Sequence, residues 1–128
     1  MRLETKTGTE EIKLGVYTDI LTGSLRIRMY HLNEGEWQEY GYLTLVIPLW
    51  TPDYCPYVDT ANYPELTDFL KKYDLGDFIG AHLNTEGHQY PMYIFNADKL
   101  RELCPAQMEY YERKIGMIKE PPEPSKSR

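Results

Sequence analysis

Residues 52–64 read P-D-Y-C-P-Y-V-D-T-A-N-Y-P, and this segment separates two kinds of sequence: alternating, strand-like residues before it and the clearest helical pattern of the chain after it. Each proline fixes its own φ and pushes the preceding residue toward extended backbone. Three prolines and three tyrosines in these thirteen residues therefore predict an ordered, extended, aromatic connector, the hinge of the fold.

Downstream of the connector the helix signals agree. Asn62 is placed as an N-cap, Pro64 in a first turn where its missing N–H costs nothing, and Glu65 where a capping box needs it. Leu66, Phe69, Leu70 and Tyr73 recur at i, i+3, i+4 and i+7 as one apolar stripe, and Gly76 stands where a left-handed C-cap belongs. Upstream the period is two. Ile12, Leu14, Val16 and Ile20 share a face opposite Lys13, Tyr17 and Asp19. After a turn at 21–24, Leu25, Ile27 and Met29 alternate with Arg26, Arg28 and Tyr30. A second turn at 33–36 leads to Gly41, Leu43, Leu45 and Ile47 on one face and Tyr40, Tyr42 and Thr44 on the other, with Pro48 ending the strand. This half reads as a three-stranded antiparallel meander, apolar on one side and rich in Tyr and Arg on the other. Residues 1–10 are polar and aperiodic and are expected to fray.

Past the first helix, residues 78–83 and 89–95 read as two further strands around a polar loop at 84–88. Pro91 cannot donate to a ladder and predicts an edge or a bulge. Asn96 caps a short helix holding Leu100 and Leu103, Pro105 opens another with Met108, Tyr111 and Ile115 on one face, and Gly116 stops it. Residues 119–128, K-E-P-P-E-P-S-K-S-R, cannot bury enough apolar surface to order themselves and read as a disordered tail. The expected architecture is α+β: an antiparallel sheet of about five strands, the helix from Asn62 packed on one face, the C-terminal helices near an edge, all in a single domain over residues 1–118.

Composition narrows the function classes. A chain of 128 residues can bury a core without disulfides or a structural metal, and the two distant cysteines, Cys55 and Cys104, are expected as free thiols. A net charge of -6 argues against duplex nucleic acid, whose binders neutralise phosphates with Lys and Arg. No stretch approaches the ~20 apolar residues of a membrane span, and the N-terminus has no apolar signal core, so a cytoplasmic location is expected. Twelve tyrosines are the compositional oddity.

Chemical constellations are sparse. His82 and His88, with Cys55 or Glu86, have an H-x5-H spacing that zinc sites do not use, so no metal is expected. Asp53, Asp59 and Asp68 read as turn-forming or solvated carboxylates rather than a catalytic set. Neither cysteine lies in a nucleophile elbow, and the scattered single glycines form no phosphate-cradling loop, so no catalytic residue and no cofactor are assigned. The one unusual surface is formed by Tyr17, Tyr30, Tyr40 and Tyr42 with Arg26 and Arg28. It reads either as a second core layer under the later helices or as an exposed patch of the kind enriched at interface hot spots.

Two blocks, P-D-Y-C-P-Y-V-D-T-A-N-Y-P-E-L at 52–66 and Y-P-M-Y-I-F-N-A-D-K-L-R-E-L-C-P at 90–105, resemble the bacterial domain-of-unknown-function family numbered 4313, whose members accompany conjugative and integrative elements of gut Firmicutes. The resemblance spans roughly Leu43 to Ile115. The family's connector continues Asp-Thr-Asn-Asn where Ala61 stands here. Its loop before the second block carries Ser-Gly and a Cys where this chain reads Thr85-Glu86-Gly87-His88-Gln89, which removes any case for a family-wide thiol there. The resemblance implies a mobile-element accessory protein and supplies no mechanism.

The functional expectation is a small non-catalytic protein that binds another protein in the service of a mobile element. One variant is the inhibition of a host defence nuclease by an acidic surface that imitates DNA. The alternative from another class is a hydrolase-like enzyme using the 52–64 connector, with Cys55, Asp59 and His82 or His88 brought together by the fold. A third reading stacks single-stranded nucleic acid on the tyrosines, which the acidic balance disfavours. The identity of the partner and the oligomeric state stay open at this level.

Overall fold

The computed structural model describes residues 1–116, so the tail at 119–128 and the last residues of the expected domain lie outside them. Six strands and three helices follow in order: β1 (Arg2–Thr5), β2 (Gly8–Thr18), β3 (Leu25–Asn33), β4 (Glu36–Tyr42), α1 (Leu66–Lys72), β5 (Gly76–Thr85), β6 (His88–Phe95), α2 (Ala97–Leu103) and α3 (Pro105–Lys114). The fold is α+β, as the patterning predicts. Its strands divide into a four-stranded antiparallel sheet in the order β1-β2-β3-β4 and a two-stranded sheet of β5 and β6. Among the described residues no helix is long and apolar enough to cross a membrane.

The meander forms because period-two apolar residues face one side. Val16 pairs with Ile27 and Leu14 with Met29, and these four side chains, with Ile12 and Leu25, are buried. Both later hairpins turn through two residues of positive φ, Glu34-Gly35 and Glu86-Gly87, the tight geometry whose twist matches paired strands and which glycine adopts without strain. The N-terminus does not fray. β1 pairs with β2 through Leu3↔Glu10 and its neighbours, Leu3 is fully buried, and the Tyr73 hydroxyl accepts from the Arg2 amide at 2.6 Å. A single apolar anchor and main-chain pairing suffice for an edge strand, and neither produces a periodic pattern.

The connector is extended only in its middle, over residues 55–59, between turns at 53–54 and 60–62, and this stretch is hydrogen-bonded on both sides. Tyr57 O accepts from Leu45 N at 3.0 Å and Asp59 N donates to Leu43 O at 2.9 Å. On the opposite edge Val58 N donates to Pro91 O at 2.9 Å, while Pro56 O and Tyr54 O accept from Tyr93 N and Phe95 N at 3.1 and 2.8 Å. The connector is therefore a strap between the two sheets, bridging Thr44↔Val58 on one side and Tyr57↔Met92 on the other. The expected third strand is correspondingly shorter: β4 ends at Tyr42, and beyond the bridge residue Thr44 the chain to Trp50 is irregular.

The start and stop of α1 differ from expectation. Asn62 is not its cap, because Asp59 takes it first: the Asp59 carboxylate accepts from Asn62 N at 3.1 Å and from Asn62 Nδ2 at 2.8 Å. The helix begins at Leu66 with Glu65 at the N-cap position and no side-chain cap bond. Its C-terminus turns on Asp74, not Gly76. Asp74 has φ 52°, Leu75 N donates to Leu70 O at 2.9 Å and Asp74 N to Lys71 O at 3.2 Å, the paired bonds of a Schellman motif. The predicted stripe is correct, since Leu66, Phe69 and Leu70 are buried. Asn96 caps α2 through a bond from Lys99 N at 3.2 Å, and Pro105 opens α3.

A cluster around a buried carboxylate ties the C-terminal helices to the strap. Glu112 on α3 is buried, and Arg101 on α2 grips both its oxygens at 2.7 Å. The Tyr54 hydroxyl also donates to it, and the Tyr111 hydroxyl accepts from Tyr54 N at 2.9 Å. Tyr54 itself has φ 64°, a conformation unusual for a bulky residue, held here by this cluster and by Phe95.

Two outcomes test this account. Leu70→Asp places an unpaired carboxylate at a fully buried position, at a cost of several kcal/mol against a total stability of about 5–15 kcal/mol, and thermal melts should show an unfolded chain. Glu112 carries a pKa below the ordinary carboxyl value, chiefly through its bonds from Arg101 and then from Tyr54, against the opposing effect of burial. Its contribution is thus complete above the unfolded-state pKa and disappears as pH falls through the lower folded-state value. Glu112→Gln should cost about 1.5–3 kcal/mol in neutral urea melts, and the gap to the parent should close as the pH is taken down into the acid range.

Candidate functional site

The outer face of the meander carries the Tyr and Arg residues, and the structure sorts them. Gly15 pairs with Arg28, Arg28 with Tyr42, and Tyr30 with Glu39, so Tyr17, Arg28, Tyr30 and Tyr42 stand together. Arg28 lies 5.4 Å from the centre of the Tyr17 ring and 4.5 Å from that of Tyr42. It donates to Glu39 at 2.6 Å and to the Tyr42 hydroxyl. The Tyr17 and Tyr30 hydroxyls share a hydrogen bond, and they close over Gly15, where an added Cβ would lie 3.0 Å from the Tyr30 ring and 3.2 Å from that of Tyr17. Glycine at this position lets the two rings meet. With Tyr17 38% exposed and the Arg28 side chain 25% exposed, the cluster is neither a second core layer nor a free surface. It is a half-covered, prearranged wall.

Arg26 and Tyr40 stand elsewhere. Arg26 is buried, donating to Ile47 O at 2.7 Å and pairing with Asp19 at 3.2 Å, because the chain after β4 folds back over the start of β3. Tyr40 is the extra residue of a bulge: Met29 pairs with Gly41 and Tyr30 with Glu39, and the bulge turns Tyr40 to the inner side. There it packs on the core between His31 and Tyr63, at ring distances of 5.1 and 5.7 Å. Strict alternation places both residues on the outer face; it registers neither the segment that covers Arg26 nor the β4 bulge that turns Tyr40 over.

The second wall comes from the junction of α2 and α3, which closes the free edge of β2. Gln107 Oε1 accepts from Val16 N at 2.8 Å and the Cys104 thiol donates to Leu14 O at 3.1 Å. Between this junction and the outer face runs a groove of about 620 Å³ lined by Lys13, Tyr17, Tyr30, Trp37, Leu103 and Gln107 among others. It continues into a recess of about 350 Å³ beside Val16, Thr18 and Tyr110. Lys13 sits 4.8 Å from the Trp37 ring centre, so a second cation–aromatic pair stands at the rim. Lys13 and Gly15 share the alternation that selects Tyr17 and Tyr30 and are legible from it, whereas Trp37, in step with Gly41 and Leu43, reaches the outer face only through the bulge. Gln107 and Tyr110 are not, because only the tertiary fold carries α3 to β2.

The residues of the hydrolase-like alternative are held by different partners. Asp59 is occupied by Asn62, His88 bonds Thr60 Oγ1 at 3.0 Å, and His82 packs on Phe78 at 5.0 Å. Cys55 is buried in the strap, and burial, aided by the nearby Asp53 charge, pushes its thiol above the ordinary value. Burial does the same to Cys104. Such shifts keep a thiol protonated, the opposite of what a nucleophile needs. Among the described residues no three His, Cys, Asp or Glu side chains gather as metal ligands would.

The wall makes a spectroscopic prediction. Tyr17 ionises above the ordinary tyrosine value, first because of its hydrogen bond with Tyr30 and then because of burial. In Tyr30→Phe, ring-labelled NMR titration should move Tyr17 down toward that value, while Tyr54, held up to about 12 by burial and its bond to Glu112, stays where it was.

Comparison with known proteins bears on identity alone. No curated protein and no solved structure matches the chain. The family model described as a domain of unknown function (DUF4313) matches residues 13–115, a span running from within β2 to just past α3 that takes in the strap and both walls of the groove. On that match the chain belongs to the DUF4313 family.

Proposed function

We propose that this chain is a non-catalytic protein-binding protein that serves a mobile genetic element in the cytoplasm, and that it engages its partner through the groove between the outer face of the meander and the α2–α3 junction. The observation that carries this reading is the Arg28 cluster: a guanidinium held between two tyrosine rings and pinned by Glu39 and Tyr42. Ordering these side chains in advance lowers the entropy that a partner must overcome, and Tyr and Arg in a partly desolvated setting are the residue types on which interface energy concentrates. A partner segment entering the groove meets the ring faces of Tyr17, Tyr30 and Trp37, with Lys13 available to an acceptor group. Imitation of DNA by an acidic surface draws no support from a groove whose charged lining residue is a lysine.

The test is a partner captured by a photo-crosslinking side chain at Trp37 and then titrated against variants. Arg28→Ala and Tyr42→Ala should each weaken the complex by about 2 kcal/mol or more, with the fold intact by circular dichroism. Cys55→Ser, His82→Ala and His88→Ala should leave affinity within about 0.5 kcal/mol of the parent. Unchanged binding in the Arg28 and Tyr42 variants, with a measurable activity lost in Cys55→Ser or His88→Ala, would overturn the reading in favour of an enzyme.

A further inference from the structure

At the end of the meander away from the Glu34-Gly35 turn, two loops expose apolar side chains that the core does not use. In the turn between β2 and β3, Ile20 is 95% and Leu21 82% exposed; in the segment after β4, Val46 is 59%, Leu49 39% and Trp50 64% exposed. Ile20 continues the alternation of β2, yet β2 ends at Thr18 and the side chain meets solvent.

The loops are braced against each other. Asp19 Oδ1 accepts from the amides of Leu21 and Thr22, each at 2.9 Å. The Arg26 guanidinium reaches Asp19 on one loop and Ile47 O on the other, and Ser24 Oγ accepts from Thr51 N at 3.0 Å. No residue of 20–25 or 43–52 is ionisable. The charges at their base, Asp19 and Arg26, neutralise each other.

We propose that this end is the contact through which two copies of the chain associate. Five side chains at these exposures present roughly 600–700 Å² of largely apolar surface. That is more than the few hundred Å² of an ordinary monomer patch and close to the ~800 Å² that each partner gives to a standard interface. Area and charge together favour a second copy. Each copy carries a net charge of -6, and a contact on this face, which includes part of the longest run of the sequence without Asp, Glu, Lys, Arg or His, buries no like charges against each other. An apolar surface is also complementary to itself about a twofold axis without any charge matching. A bilayer would call for Lys or Arg flanking the apolar tips, and neither loop holds one. The five side chains are not among those that line the groove, so the association can be tested apart from the partner binding proposed above.

Sedimentation velocity of the full chain over a wide concentration range tests it. The expected result is a reversible dimer whose dissociation constant rises more than about tenfold in Ile20→Glu and separately in Trp50→Glu, with melting temperature and circular dichroism preserved because both positions face solvent. Trp37→Glu, in the groove, should dimerise like the parent. A parent chain that stays monomeric throughout, a dimer indifferent to both loop substitutions, or a monomer that cosediments with neutral phosphatidylcholine vesicles would each overturn the proposal.

Discussion

Main-chain hydrogen bonds run outward from both edges of residues 54–59, to 43–45 on one side and to 91–95 on the other, and the arrangement of the molecule depends on them. A two-stranded hairpin is marginal by itself, so β5 and β6 need a third extended neighbour, and the strap supplies it. The strap in turn is kept extended at Pro56 and is anchored at its start by Tyr54, whose hydroxyl and amide are both taken up by α3. Once those contacts are made, the positions of α1 at one end and of the α2–α3 pair at the other are set.

The second constraint is the open edge of β2. An unpaired strand edge invites other strands, and this chain closes it piecemeal. Met1 exchanges bonds with Ile12, β1 covers residues 8–11, and Cys104 and Gln107 reach Leu14 and Val16. Closing an edge with the start of a helix rather than with a strand leaves a gap above the sheet, and that gap is the groove. Protection of the edge and formation of a concave aromatic site are thus two results of one packing decision.

Local signals were legible in the sequence and tertiary ones were not. The stripe Leu66-Phe69-Leu70, the Asn96 cap, Pro105 at the start of α3 and the two glycine-bearing hairpin turns each rest on a few neighbouring residues, and each stands where the pattern puts it. Asn62 is misread because Asp59, three residues earlier, competes for it. Gly76 is misread because Asp74 accepts a left-handed backbone when the closing bonds are good. Arg26 and Tyr40 defeat alternation for a different reason: one is covered by a returning segment and the other is turned over by a bulge. Part of the groove wall, Lys13 and Tyr17 with Tyr30, can be read from period two, whereas Trp37 joins it through the β4 bulge and the part contributed by α3 depends on contacts across about 90 residues.

The two cysteines occupy different seams, and this gives the chain an internal clock for its own opening. Cys104 is buried where α3 closes the β2 edge and Cys55 within the strap; both thiols are held protonated by burial. A thiol reagent meets Cys55 only after the strap has parted, while its access to Cys104, which borders the groove, is set by how closely the helix stays on the sheet edge. The rates at which the two sites are alkylated therefore time two separate excursions of the native state, parting of the helix from the sheet edge and release of the strap, without any label having to be engineered.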